Sequence, residues 1–584
     1  MTDEHPRPAS ASPRWPHHPW QRAILATVAG ALVFLSVATF DVWPLAWFAF
    51  APLFFAIQDC TPRRAFLWGW LMGLVTNVGG FYWIPLLLMR FGKLSVPVAW
   101  LLFLLLAAYQ GLHFGAVAWA IQRTRRHKPL PLTLLAPIFL VTAEFLMPFI
   151  FDWYVSISQA WVVPVIQIAD LTGPTGVSAL LLITSGALYD ATSALAEHRP
   201  IPKRPILIGL AIIAAALIYG QIRIAQVQDR RIHAEKVKVG IVQANIGITQ
   251  KGRARLAWKH HVIHLRESHA LQDAGADLLI WPESSYPWAI ARERTHDFGP
   301  KDRRQVMRGL KVPLIFGAIT YGAKERFPYN TAFMMDPDGK ILGRFDKNYL
   351  LVFGEYIPFY STFPKFRKWF PAASNFNHGK SVTTFPFHGK RIAPLICYED
   401  LLPAFTRRLA KLRPNLLVNI TNDAWFGATS EPYEHMALAV YRAIELRVDL
   451  VRSVNTGTSS IIEATGHVQV QTRAHDPVVE PGIKPETLIG DVRLLPGAKT
   501  VYTEVGDLFA STALVASLFL LFGMPLWLRR RGATPPLSSA HQKTADANAG
   551  TAPSPPKKTR HRTSRKHTKP ERTGKPARRT KRLR

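Results

Sequence analysis

PLICYEDLLP, residues 394–403, runs out of an apolar strand pattern into Cys397 and then at once into Tyr398, Glu399 and Asp400. The chain of 584 residues has only one other cysteine, Cys60. A scarce thiol at the end of a buried strand, beside two acids, is either a small core residue or a nucleophile. The surrounding pattern bears on the choice. From Lys236 onward short β-rich runs recur: KVKVGIVQANI, DLLIWPES, VPLIFGAIT, NTAFMMDPDG, RIAPLICYED and NLLVNITND. Helical patterns lie between them, such as RLAWKHHVIHLRESHALQDAG, with apolar residues at helical spacing. DPDGK reads as a turn between two strands, with Gly339 free to take positive φ. Strands alternating with helices and hairpins predict a layered α/β domain over 236–495.

Polar residues recur where these strands stop. WPES ends one strand with Glu283, FDKNYLLVFGEYIPF carries Lys347 and Glu355, and ICYED carries Cys397. In layered α/β folds, catalytic groups sit at such ends, in loops held by a rigid sheet. A cysteine nucleophile needs a base for its proton, a donor or positive charge beside the developing oxyanion, and a dry site. Glu283 fits the base. Lys347 fits the oxyanion charge, with the backbone N–H of Tyr398 as a second donor. Glu355 fits a partner that keeps Lys347 protonated and oriented. Taken singly, each residue is more often a core thiol or a solvated charge. The histidine cluster near 259–264 and His5, His17 and His18 lack metal-ligand partners at sensible spacing and read as surface residues. No phosphate-binding loop and no G-x-S-x-G elbow is present. No metal and no cofactor is expected.

The flanks differ from this middle. Apolar runs near 23–40, 43–58, 65–88, 97–121, 129–150, 174–193 and 205–222 predict seven membrane spans, and 507–528 an eighth. A cleaved signal peptide is the competing reading of the first run. Lys and Arg collect in the loops after the second, fourth and sixth runs and after the last one, while 152–173 has none. Arg90 and Lys93 are the exception. That bias puts both termini in the cytoplasm and the α/β domain outside. Cys60 and Cys397 then lie on opposite sides, which excludes a disulfide between them. Glu144 is the clear acid within the runs, and it reads as facing the bundle interior. Half of the net charge of +32 lies from Arg529 onward, where 18 Lys/Arg oppose Asp546 and Glu571. That tail reads as disordered and drawn to anionic lipid. It lacks the interleaved aromatics that stack on bases, so no nucleic-acid partner is expected.

Glu283, Lys347 and Cys397, in that chain order, resemble the catalytic set of the nitrilase superfamily. FGEYIPF, ICYED and NITNDAWFG, set between seven spans and a final one, resemble the apolipoprotein N-acyltransferase family over about residues 20–530. The resemblance implies an α-β-β-α sandwich outside the bacterial inner membrane. It implies segments 1–22 (cytoplasmic), 23–225 (seven-span bundle), 236–495 (catalytic), 507–528 (last span) and 529–584 (basic cytoplasmic tail). It implies transfer of an sn-1 acyl chain from a phospholipid, through a Cys397 thioester, to the α-amine of a diacylglyceryl-cysteine apolipoprotein. Glu283 would be the base and Lys347 the oxyanion partner, with Glu355, Tyr398 and Glu399 supporting the site. One departure stands out: the family's Q-x-N-I-x-Q-x-x-K-W segment here reads QANIGITQKG, with Gly252 at the Trp position and Trp258 later. Two other functions fit the sequence less well. A membrane-tethered amidase would not need so many spans, and a non-catalytic scaffold or transporter would not need all three catalytic positions filled.

Overall fold

Side chains alternate faces along a strand, and in the computed structural model of the protein this alternation sorts them into two cores. The structure describes residues 16, 18–352, 354–357, 362, 374–497 and 499–530. In the strand Tyr329–Met335, Ala332 and Met334 enter one core and Phe333 and Met335 the other. The first core also takes Val239 and Ile241 from one sheet and Ile392, Leu417 and Val451 from a second, so it fills the space between two sheets and runs on into the helical bundle.

The strands fall into those sheets as follows. The first holds β1 (Lys236–Gln243), β2 (Leu278–Ile280), β3 (Ile290–Ala291), β4 (Leu314–Tyr321), β5 (Tyr329–Met335) and β6 (Ile341–Asp346). The second holds β7 (Phe385–Phe387), β8 (Lys390–Ile396), β9 (Leu416–Thr421), β10 (Asp449–Val454), β11 (Ser460–Ile462) and β12 (Val468–Gln471). The last strand, β13 (Glu486–Arg493), returns to the first sheet and runs antiparallel to β1. Each sheet has a parallel centre, β1-β2-β4 in one and β8-β9-β10 in the other, with antiparallel hairpins at the edges. Every strand expected from the sequence is present, and Gly339 takes φ +81° in the β5–β6 turn. The helix Ala257–Asp273 covers the outer face of the first sheet. The helix Glu431–Leu446 lies outside the second, giving the α-β-β-α layering.

That second helix is buried on all sides because the membrane-type helices close over it. Tyr441 donates to the backbone oxygen of Ser156 at 2.6 Å. Arg447, fully buried, donates to Asp170 at 2.7 and 3.0 Å and to Gln167 Oε1 at 2.6 Å. The helix Lys203–Ile232 is about 45 Å long at 1.5 Å per residue, longer than a ~30 Å hydrocarbon core. Its final turns reach the α/β domain, where Arg231 pairs with Asp449 and Glu463 just before β1 begins.

The number of spans differs from expectation. Four helices are long and apolar enough to cross a membrane: Val96–Arg125, Pro174–Ala196, Lys203–Ile232 and Leu508–Arg530. A fifth is the pair Pro62–Gly80 and Ile84–Arg90, bent by 55°. Among the described residues the count by length is therefore four or five, against about eight expected. The 43–58 run breaks into a 3-10 turn, Trp43–Trp47, and a short helix, Ala51–Ile57, each with a proline in its first turn. Proline lacks the N–H that would continue a preceding helix, so it starts a new one. Pro19–Leu35 and Leu132–Leu146 are apolar helices of 17 and 15 residues. Glu144 does face the bundle interior, where one carboxylate oxygen accepts from the Val155 N–H at 2.8 Å and Ser178 Oγ at 3.0 Å. Both cysteines are free. The expected disordered tail lies outside the described residues.

The histidine reading needs correction. His260, His261 and His264 are buried on the inner face of Ala257–Asp273. They share the helical period of Ala257, Leu265, Ser268 and Leu271, and position overrides residue type. His18 is exposed as expected, while His5 and His17 lie outside the described residues.

Candidate active site

Cys397 is the hinge between β8 and a one-turn helix, Cys397–Leu401. Its φ is +54°, in the left-handed region that non-glycine residues rarely occupy. Such strain persists only where neighbours over-determine it, and two do. Asn419 on β9 donates to the Cys397 backbone oxygen at 2.8 Å. Glu399, fully buried, reaches back and accepts the N–H of Ile396 at 2.9 Å.

Glu399 also accepts the N–H groups of Asn348 at 2.6 Å and Tyr349 at 3.1 Å. One carboxylate thus ties the turn after Lys347 to the turn that carries Cys397. Burial pushes its carboxyl up to about 8, against the pull of these three N–H groups and Lys347. Tyr398, between Cys397 and Glu399, is half-buried.

Lys347 follows β6 and is 1% exposed. Its Nζ lies 2.8 Å from Glu355 Oε2 and 3.3 Å from Glu283 Oε1. Burial alone would lower its affinity for a proton, but Cys397, Glu283 and Glu355 together hold it well above the usual lysine range. It is a fixed ammonium. Burial pushes the Cys397 thiol well up; Lys347 opposes this, and Glu283, Glu355 and Asp423 add to it. The resting thiol is therefore protonated and needs a base. Glu283 follows β2 and is 7% exposed. The structure thus brings Glu283, Lys347 and Glu355 into one hydrogen-bonded cluster beside Cys397, from the ends of strands in both sheets.

Two members of the cluster were not singled out in the sequence. Asn330, on β5, donates to Glu283 Oε1 at 2.6 Å and to Glu355 Oε1 at 3.1 Å, fixing both carboxylates around the lysine. An asparagine inside a buried strand is the signal, because strands disfavour it. Lys251, in the loop after β1, donates from Nζ to the Glu283 backbone oxygen at 2.8 Å. Burial pushes its ammonium down to about 8, with Glu283 and Cys397 opposing. The next residue, Gly252, has φ +79° and open space around it. Trp258 lies exposed on the outer helix, against His261 and Arg308.

A protonated thiol at a strained strand end, a neighbouring carboxylate and a locked ammonium together suit nucleophilic attack on an acyl carbon. Residues 238–491 match the family described as Carbon-nitrogen hydrolase, and residues 29–187 match Apolipoprotein N-acyltransferase N-terminal domain. A Geobacter metallireducens protein named apolipoprotein N-acyltransferase is 33% identical, over 85% of this chain and 94% of its own. A Bdellovibrio bacteriovorus protein of the same name is 33% identical, over 77% and 86%. Among solved structures, an amidase from Nesterenkonia sp. AN1 covers 44% of this chain and 90% of its own, at 17% identity and a TM-score of 0.32. The chain belongs to the apolipoprotein N-acyltransferase family.

Proposed function

We propose that the protein is a phospholipid-dependent acyltransferase that N-acylates the terminal cysteine of diacylated apolipoproteins. The observation that carries this reading is the ammonium of Lys347, clamped between Glu283 and Glu355 beside a thiol, in a domain that rests on apolar helices. Glu283 takes the proton of Cys397, and the thiolate attacks the sn-1 ester carbon of the phospholipid. The tetrahedral oxyanion is met by Lys347 and the backbone N–H of Tyr398. Collapse breaks the ester C–O bond, and the lysophospholipid oxygen leaves with the proton held by Glu283. The α-amine of the apolipoprotein then attacks the thioester, Glu283 takes its proton, and the thiol is restored. Glu355 and Asn330 orient the charged pair, and Glu399 fixes the two turns.

The proposed arrangement has the α/β domain, 236–495, outside the inner membrane, the 23–225 bundle and 507–528 within it, and 1–22 and 529–584 in the cytoplasm. Support comes from Lys203–Ile232, which begins at Lys203 and Arg204 and ends at the domain, and from Leu508–Arg530, which ends in arginines. Crossing eight times requires Pro19–Leu35, 43–57 and Leu132–Leu146 to span as shorter or broken segments. The test is to supply the purified protein with phospholipid and a diacylated lipopeptide. The expected product is a lipopeptide heavier by one acyl chain. Release of free fatty acid with no change in the peptide would instead indicate a hydrolase.

A further inference from the structure

Outside the cluster around Lys347, a second set of buried ionisable groups has unfilled valences. Asp423 follows β9 in the NITNDAWFG stretch, and Glu431 and His435 occupy the first turns of Glu431–Leu446, four residues apart and so on one face. All three are buried. His435 Nδ1 lies 3.6 Å from Asp423 Oδ1 and 3.8 Å from Glu431 Oε1. Those separations are too long for hydrogen bonds. They fall within the roughly 4.2 Å that two ligands of one ion span when each lies about 2.1 Å from it. His435 Nδ1, Asp423 Oδ2 and Glu431 Oε2 are buried without a hydrogen-bond partner.

The other side of the imidazole is already fixed. His435 Nε2 donates to Asp400 Oδ1 at 2.8 Å, and Asp400 Oδ2 accepts from Arg452 Nε at 3.2 Å. A carboxylate that holds the far N–H of a histidine orients the near nitrogen, which offers a lone pair once an ion displaces its proton, as at metal centres. Without an ion, protons balance the charge here: burial pushes the Glu431 carboxyl well up, and although burial disfavours a charged His435, Asp400 holds its imidazole up to about 10, so a divalent cation enters by displacing protons. Glu434 is turned away, toward Ser430 and Trp83.

We propose that Asp423, Glu431 and His435 Nδ1 form a binding site for one divalent transition-metal ion of the zinc or manganese class, with Asp400 as the carboxylate that orients the histidine. One nitrogen and two carboxylates suit such ions better than calcium or magnesium, which take oxygen ligands. The ion joins the end of β9 to the start of the helix. It thereby pins the loop between them, whose Trp425 and Phe426 pack edge-on against Phe91 at 4.6 Å and Trp83 at 5.2 Å in the bundle. The site is structural, and its ligand Asp423 is near enough to Cys397 for its charge to bear on the thiol.

The test uses the full-length protein in detergent, stripped with a chelator and then titrated with Zn²⁺ or Mn²⁺ alone. Metal content is measured by plasma mass spectrometry and unfolding by a thermal scan. Other histidines can take up metal, so the readout is the difference from Glu431→Gln. That variant keeps the size, and because burial already holds the metal-free Glu431 carboxyl uncharged, its metal-free form should fold. The expected result is about one more ion per chain in the wild type, at least tenfold tighter binding, and a metal-induced rise in Tm that Glu431→Gln and Asp423→Asn lose. Zinc-edge absorption of the loaded wild type must show nitrogen and oxygen ligands without sulfur, and this arm stands if either variant fails to fold. A sulfur shell would place the ion on a cysteine and overturn the proposal. Equal uptake by wild type and Glu431→Gln, or no uptake by the wild type, would also overturn it and leave a proton or water bridging these groups.

Discussion

Lys347 has room only for a compact ammonium. It is 1% exposed and touches carboxylates on two sides. The planar guanidinium of Lys347→Arg cannot enter that space without displacing Glu283 or Glu355. Turnover should fall by about 10²-fold or more, with the protein still folded, as followed by lipopeptide acylation at saturating phospholipid. Near-normal turnover would mean that the lysine supplies only a diffuse field. Glu399 makes a different kind of demand. Both of its oxygens accept from backbone N–H groups. Glu399→Gln has one acceptor oxygen, and its NH2 must face a backbone N–H. The orphaned buried donor costs about 1–3 kcal/mol. The turns that carry Lys347 and Cys397 should loosen, so Tm and kcat should fall together. A variant with lost activity and an unchanged Tm would point to a chemical role instead.

At the scale of elements, Ala257–Asp273 carries a pH-dependent term. Burial pushes His261 down to about 4 and His264 down to about 3. Both are outside the membrane-spanning segments. The folded domain excludes protons that the unfolded chain accepts near pH 6.5. The stabilisation is therefore full above pH 6.5 and is lost as pH falls toward 4, by up to about 1.4 kcal/mol per pH unit for each histidine. Unfolding midpoints between pH 7 and pH 4.5 should show this slope, and His261→Gln should flatten it. This helix also marks where the sequence is hard to read. Its apolar period is plain, but histidine is polar by type and is buried here only by its place on that period. The strands β1, β2, β4, β5, β8 and β9 are legible because each is an apolar run that stops at a turn or at a polar residue, whereas short strands such as β3, β7 and β11 carry too few residues to show a pattern; Glu283, Lys347 and Cys397 stand at or just past such stops. Asn330 escaped because its role comes from a partner on another strand. Helix length alone gives fewer than eight spans, because mean hydropathy over a run does not register prolines such as Pro44 and Pro52, which break 43–58 into two short pieces.

At the scale of the whole molecule, the α/β domain is seated on the helices by buried charge. Arg447 is fully buried and pairs with Asp170, which also accepts from Arg223 and Tyr219. Removing one partner of a buried pair strands the other charge, at about 3–5 kcal/mol. Asp170→Ala should therefore lower Tm in detergent well beyond what an exposed acid would, and a shift no larger than that of a surface control would show the seat to be held by packing alone. This seating matters because both proposed substrates are lipids, and the thiol must stay in register with the bilayer that presents them. The most direct test is intact-mass spectrometry of the protein after incubation with phospholipid and no acceptor. The account predicts one added acyl chain, mapped to the peptide containing Cys397, absent in Cys397→Ala, slowed by about 10²-fold or more in Glu283→Gln, and discharged by a diacylated lipopeptide. An acyl adduct elsewhere, or lipopeptide acylation that persists in Cys397→Ala, would contradict it.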